Sequence, residues 1–399
     1  MRPTPPIRLA VAAVAALAAT LAAALLAAPP AQAATLTQVT GFGANPGALQ
    51  MYSYRPDGLG TGAPLVVALH GCTQSASDYH TRAGWQKYAD LWRFTVVYPQ
   101  TTSANNANSC FNWFATADSS RGQGEALSIK QMVDYAVTTY GADRTRVYVT
   151  GLSAGGAMSA VMLATYPDVF AAGSIVAGIP YRCATDLPSG LTCQNSAQAR
   201  TPAQWGDLVR AADPGYGGPW PRVAIWYGTS DTTVSQPANP NESRDQWTNV
   251  WGIGQSASST ATLSGGTTLA NYDAAGTTVV RLYTVPGIAH GTPVNPGAGT
   301  DQCGTTGTYY LASICEAYHD AVFFGLSGGT PPPPTSPPPT GACFTTDNYH
   351  QVAAGRAHQS LGQVYANGSN QAMGLWNVFV THTLRQTGTN VYVLADGQC

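Results

Sequence analysis

The chain has 399 residues, only 10 % of them charged, and a formal net charge of −2. So sparse and balanced a charge excludes electrostatic capture of nucleic acid or of an anionic membrane surface. At this length and 44 % hydrophobic content, one large domain plus a small one is expected.

At the start, Arg2 and Arg8 flank the entry to an Ala/Leu/Val run from Leu9 to Ala28, and Pro29-Pro30 lead into Ala31-Gln32-Ala33. Positive start, apolar run and small-x-small close predict a secretory signal over residues 1–33, with a retained anchor as the alternative. No later stretch is apolar and long enough to span a bilayer. The mature chain is therefore expected to be secreted and extracellular, with no membrane partner.

From Ala34 onward, short apolar runs alternate with amphipathic ones. Leu65–Leu69 reads as a buried strand, Ser77–Leu91 as a helix, and Phe94–Tyr98 as a strand stopped by Pro99. Glu125–Tyr140 carries Leu127, Ile129, Met132, Val133, Ala136 and Val137 at a helical period. Val147–Thr150 is a strand and Ala154–Tyr166 a helix; Val223–Tyr227 and Thr278–Tyr283 are later strands, and Glu316–Phe324 is a last helix. Such alternation predicts an α/β fold, a mostly parallel sheet with helices on both faces. The composition then breaks at 328–341, where Pro331–Pro334 and Pro337–Pro339 predict an extended, semi-rigid linker. It divides a region at 34–327, expected to be catalytic, from a small β-rich module at 342–399.

The eight cysteines, even in number in an exported chain, read as disulfides, and none has zinc-ligand spacing. Local pairing suggests Cys183 with Cys193 and Cys303 with Cys315. Cys343 and Cys399 would close the module, leaving Cys72 with Cys110, although eight cysteines allow 105 connectivities.

Gly151-Leu152-Ser153-Ala154-Gly155 lies between a strand and a helix, the setting of a nucleophile elbow, where glycines relieve crowding in a sharp turn. A serine hydroxyl at neutral pH needs a base, and an acid to orient that base, in the chain order Ser, acid, His. Asp231 just follows the strand Val223–Tyr227, and His290 follows Thr278–Tyr283. The rival acids Asp207, Asp245 and Asp301 do not directly follow a strand; Asp231 itself has the alternative of being a turn residue. His80 and His319 fall in helices, and His70 is placed to support its loop. For the oxyanion hole, the N–H of Ala154 is one donor and that of Cys72, after the first buried strand, the other; Cys72 as a staple only is the alternative.

His70-Gly71-Cys72-Thr73-Gln74-Ser75, Ser109-Cys110-Phe111-Asn112-Trp113-Phe114 and Gly151–Met158 resemble the extracellular polyhydroxybutyrate depolymerase family, in its members with the serine motif mid-domain. The resemblance implies an α/β-hydrolase fold and a serine esterase acting through an acyl-enzyme on short-chain polyhydroxyalkanoate. It implies Ser153, Asp231 and His290 as triad and Cys72 with Ala154 as oxyanion pair. Asn348-Tyr349, Ala354–Ala357, Tyr365–Asn370 and Met373–Asn377 resemble the substrate-binding domain appended to such enzymes. Of Tyr349, Tyr365, Trp376, Phe379 and Tyr392, about two are expected to be exposed on an adsorbing face. Feruloyl and acetylxylan esterases share this core, so a cell-wall polysaccharide is the alternative partner to an insoluble polyester. No cofactor or metal is expected, and the chain is expected to act as a monomer.

Overall fold

A computed structural model describes residues 34–328, 343–360, 362–388 and 391–397. The expected signal at 1–33, nearly all of the linker and Cys399 lie outside the described residues. A ten-stranded sheet organises the chain before the linker. Its strands are β1 (Thr37–Val39), β2 (Gln50–Tyr54), β3 (Leu65–Leu69), β4 (Thr95–Gln100), β5 (Val147–Gly151), β6 (Ala172–Val176), β7 (Arg222–Gly228), β8 (Ser259–Thr262), β9 (Thr268–Ala274) and β10 (Thr277–Val285). They lie in the order β1-β2-β4-β3-β5-β6-β7-β10-β9-β8. From β4 to β10 neighbours run parallel, and the two margins are antiparallel.

β3, β5 and β6 are buried at every position, as strands covered on both faces must be. The period of two assigns each face. Leu65, Val67, Val147 and Val149 join one core cluster with residues of α3 (Gly124–Tyr140) and α4 (Ala154–Thr165). Tyr148, between Val147 and Val149, instead stacks on Phe324 of α8 (Glu316–Phe324), with ring centroids 5.0 Å apart. On that same face, Trp226 of β7 stacks on Tyr283 of β10 at 3.7 Å and donates through Nε1 to Asp320 of α8 at 2.8 Å. The mostly parallel sheet with helices on both faces is present.

Two expectations need correction. The single helix over Ser77–Leu91 is two, α1 (Ala76–Arg82) and α2 (Trp85–Trp92), hinged at Gly84. Gly84 takes φ +92°, and a Cβ there would stand 2.6 Å from Cys303 Sγ, so chain crossing and handedness both demand glycine. Nor does Pro99 stop β4, which runs on to Gln100. Pairing with β3 ends at Val97, so Pro99 has a neighbour only in β2 and its missing N–H leaves no central ladder broken.

Three further helices, α5 (Leu187–Asn195), α6 (Pro202–Arg210) and α7 (Ala238–Val250), carry the chain between β6 and β8. Among the described residues, the strands from Cys343 onward pair with one another: β11 (Cys343–Asp347), β15 (Thr381–Gly388) and β16 (Val391–Leu394) form one antiparallel sheet, and β12 (Ala357–Ser360), β13 (Gln363–Ala366) and β14 (Ala372–Leu375) another. Val364, Ala366, Met373, Leu384 and Tyr392 are buried among them. Trp376 and Phe379 are the two exposed aromatics, at 45 % and 90 %. The structure joins Cys72 to Cys110, Cys183 to Cys193 and Cys303 to Cys315. Cys343 is disulfide-bonded too, but its expected partner Cys399 is not among the described residues. No helix of the described residues is long and apolar enough to cross a membrane.

Candidate active site

β5 ends in a turn that α4 leaves at once, with Ser153 at the bend, φ 58° and ψ −116°. A non-glycine residue there is strained, and strain of this kind persists only where surrounding bonds over-determine it. Here Leu152 N–H donates to Leu69 O at 3.1 Å and Ser153 N–H to Val176 O at 2.8 Å, pinning the bend to β3 and β6. The flanking glycines are sterically required. A Cβ on Gly151 would meet Gly155 C at 2.6 Å, and one on Gly155 would overlap Leu69 O. Glycine at both flanks is what lets α4 start this close to β3.

Asp231 lies in the turn after β7, and His290 in the loop after β10, the parallel neighbour of β7. Ser230 N–H donates to Ile288 O at 3.0 Å and Thr229 N–H to Val285 O at 3.0 Å, which lashes the two loops together. His290 Nδ1 then meets Asp231 Oδ2 at 2.8 Å. The other carboxylate oxygen, Oδ1, accepts from Thr233 N–H at 2.8 Å and Val234 N–H at 2.9 Å. Asp231 is thus an oriented, buried acceptor, which favours the tautomer carrying its proton on Nδ1 and leaves Nε2 as the basic nitrogen. Tyr309 stands edge-on to the imidazole at 6.4 Å. Ser153 and His290 line one cleft of about 400 Å³, though no hydrogen bond joins them among the described residues.

Cys72 and Ala154 line the same cleft. The Cys72 loop is held from below by His70, whose Nδ1 donates to Gly71 O at 2.7 Å while Nε2 accepts from Thr101 N–H at 3.2 Å. Only a neutral imidazole can do both, and burial pushes its pKa down to about 4. The disulfide to Cys110 and the bond from Thr73 N–H to Asn108 O at 2.8 Å tie this loop to the next. Buried Glu125 holds that second loop, accepting from Asn112 N–H at 2.8 Å and Asn112 Nδ2 at 3.2 Å; burial drives its carboxyl pKa up.

The rival groups are elsewhere. Asp207 pairs with Arg210 and Asp245 with Arg244, and Asp301 is exposed. His80 contacts Tyr98, and His319 packs near Trp226 and Tyr283 with its pKa lowered to about 4 by burial. None of them lines the cleft. Sequence reasoning missed Leu187, Leu191, Gln194, Thr233, Val234 and Tyr309, which do. Leu187 and Leu191, spaced i and i+4 in a short segment, are the one pair with a legible signal; the rest arrive by chain crossing.

An elbow at the carboxyl end of a parallel sheet, with an acid–histidine pair delivered by two later strands, defines the α/β-hydrolase type. A family model described as Esterase PHB depolymerase matches residues 49–262, and the chain belongs to that family. Poly(3-hydroxyalkanoate) depolymerase C of Paucimonas lemoignei is 52 % identical over 294 residues, 73 % of this chain and 70 % of that protein. Feruloyl esterase B of Talaromyces funiculosus is 37 % identical over 286 residues, 70 % of this chain and 79 % of that one. Among solved structures, an acetyl xylan esterase from Aspergillus awamori aligns with TM-score 0.62 and 28 % identity, covering 73 % of this chain and 99 % of that chain. The chain is a carboxylic ester hydrolase.

Proposed function

We propose that this chain is a secreted serine esterase that cleaves the ester bonds of poly(3-hydroxybutyrate)-type polyesters. Ser153 Oγ attacks the ester carbonyl while His290 Nε2 takes its proton, and Asp231 stabilises the imidazolium that forms. The N–H groups of Cys72 and Ala154 bind the developing oxyanion. His290 returns the proton to the departing alcohol end of the polymer, and a water, activated by the same imidazole, clears the acyl-enzyme. The 2.8 Å contact of His290 with a carboxylate already fixed by two backbone N–H groups is the observation that carries the chemistry.

The 52 % identity to a polyhydroxyalkanoate depolymerase, against 37 % to a feruloyl esterase, favours polyester as substrate. Residues 342–399 act as a substrate-binding module on a Pro-rich tether, with exposed Trp376 and Phe379 supporting adsorption to a solid. The disulfides support export through an oxidising compartment after removal of residues 1–33. A second reading, a feruloyl or acetylxylan esterase, is favoured by the alignment over 99 % of the acetyl xylan esterase chain. Clearing of a polyhydroxybutyrate suspension, set beside ferulate and acetate release from arabinoxylan, tests the choice. Clearing that Ser153→Ala abolishes supports the polyester reading; release from arabinoxylan alone overturns it.

A further inference from the structure

Two of the assemblies that line the cleft differ in chemistry. Thr73, Gln74, Asn106 and Asn108 belong to the two polar loops tied by the Cys72–Cys110 disulfide. Leu187 and Leu191 belong to α5, the helix that packs with Phe114. These two leucines are 53 % and 52 % exposed, although both line the cleft. One turn apart, they share a face of α5 and make a continuous aliphatic ridge.

An exposed leucine by itself means little; Leu91, 52 % exposed on α2, is one that does not line this cleft. The pair on α5 differs because that helix is braced at both ends. Asp186 and Ser189 form a reciprocal capping box at its start, with a proline in the first turn. Near its end Cys193 is bonded to Cys183, Asn239 Nδ2 donates to Cys193 O at 3.0 Å, and Gln194 Nε2 donates to Thr233 O at 2.9 Å. Between the leucines, a Cβ on Gly190 would stand 3.0 Å from Phe114 Cβ, so the helix lies close on that ring. Fraying therefore does not account for the exposure. Apolar area held rigidly in water beside a nucleophile gains free energy only when a ligand covers it.

We propose that Leu187 and Leu191 form an apolar rail seating the aliphatic unit next to the scissile ester of a polyester chain, which selects for substrates longer than one unit. This rests on the polyester reading above and adds the residues that extend recognition beyond the reacting carbonyl. α5 offers branched hydrocarbon on this face and no ionic group, which matches an uncharged, aliphatic unit.

The test compares the trimer of 3-hydroxybutyrate with p-nitrophenyl acetate, whose acyl group is too short to reach a second unit. The full chain carries Leu187→Asn and Leu191→Asn together, and acetate turnover serves as the internal measure of folded enzyme. The ratio of trimer to acetate kcat/KM is expected to fall about tenfold, chiefly through KM for the trimer, the size expected for lost apolar contact in a substrate pocket. Leu187→Met with Leu191→Met should restore the ratio, and Leu91→Asn should leave it unchanged. An unchanged ratio in the double Asn variant, with the wild type cleaving the trimer, overturns the rail and leaves the polyester reading intact. A wild type that cleaves acetate but not the trimer overturns both.

Discussion

Asp231 shows how much one side chain is asked to do. Its Oδ2 faces His290 and its Oδ1 accepts two backbone N–H groups of the following turn. Removing it therefore disturbs both chemistry and fold, whereas removing the imidazole leaves no buried N–H unpaired. Asp231→Ala is expected to lower kcat at least about 10³-fold and also to lose about 1–3 kcal/mol of stability from the orphaned donors. His290→Ala should match it in kcat on a soluble p-nitrophenyl ester and, leaving only one carboxylate oxygen without its partner, shift the denaturation midpoint less. Equal midpoints for the two variants would show that the turn after β7 does not depend on the carboxylate.

The elements carry information of a different kind, because the elbow works by close approach of backbones. Gly155 packs where α4 passes the end of β3, leaving no space for a methyl between it and the Leu69 and His70 carbonyls. Gly155→Ala is expected to destabilise by roughly 1–3 kcal/mol, the range for forced overpacking, and to lower kcat as α4 shifts and carries Ser153 off its line. Urea unfolding and turnover of the same sample would check both; a variant as stable and active as the parent would mean that α4 can slide without disturbing the bend. α1 and α2 illustrate the limit of periodicity. Their apolar positions continue through Gly84, where the left-handed backbone and the Cys303 segment crossing 2.6 Å from a would-be Cβ part them.

Across the whole molecule, buried titratable groups set how stability responds to pH. His70 and His319 are held neutral by burial, each with its pKa lowered from 6.5 to about 4. A histidine with a depressed native pKa contributes stability that is present above its unfolded value and lost as pH falls toward the native one. Thermal melts should therefore drop between pH 6.5 and 4, by up to roughly 3 kcal/mol per histidine, and His319→Gln should flatten that drop. Glu316 acts in the opposite sense: burial, with Asp320 beside it, drives its carboxyl pKa well above the ordinary value. Its protonated form suits the fold, so its contribution is lost as pH rises, and Glu316→Gln should raise the melting temperature at pH 8 more than at pH 5. A larger gain at pH 5 would contradict that sign. Deleting residues 342–399 should slow attack on solid polyester while sparing a soluble p-nitrophenyl ester; equal slowing of both would argue against a separate adsorbing module.

By itself the sequence determined the α/β alternation, the Gly-x-Ser-x-Gly bend and the positions of Asp231 and His290 just after strands, because all of these follow from local period and turn chemistry. Three disulfides were also legible, since each joins cysteines close in sequence or left over by elimination. Tertiary structure alone decided what borders the nucleophile. Leu187 and Leu191 reach the cleft on a helix 34 and 38 positions beyond Ser153, Tyr309 arrives from beyond His290, and Glu125 acts through the backbone of Asn112. The physical reason is that the strand order β4-β3-β5-β6-β7-β10 brings loops from most of the chain to one edge of the sheet. No pattern within a short window of sequence records which of those loops will meet.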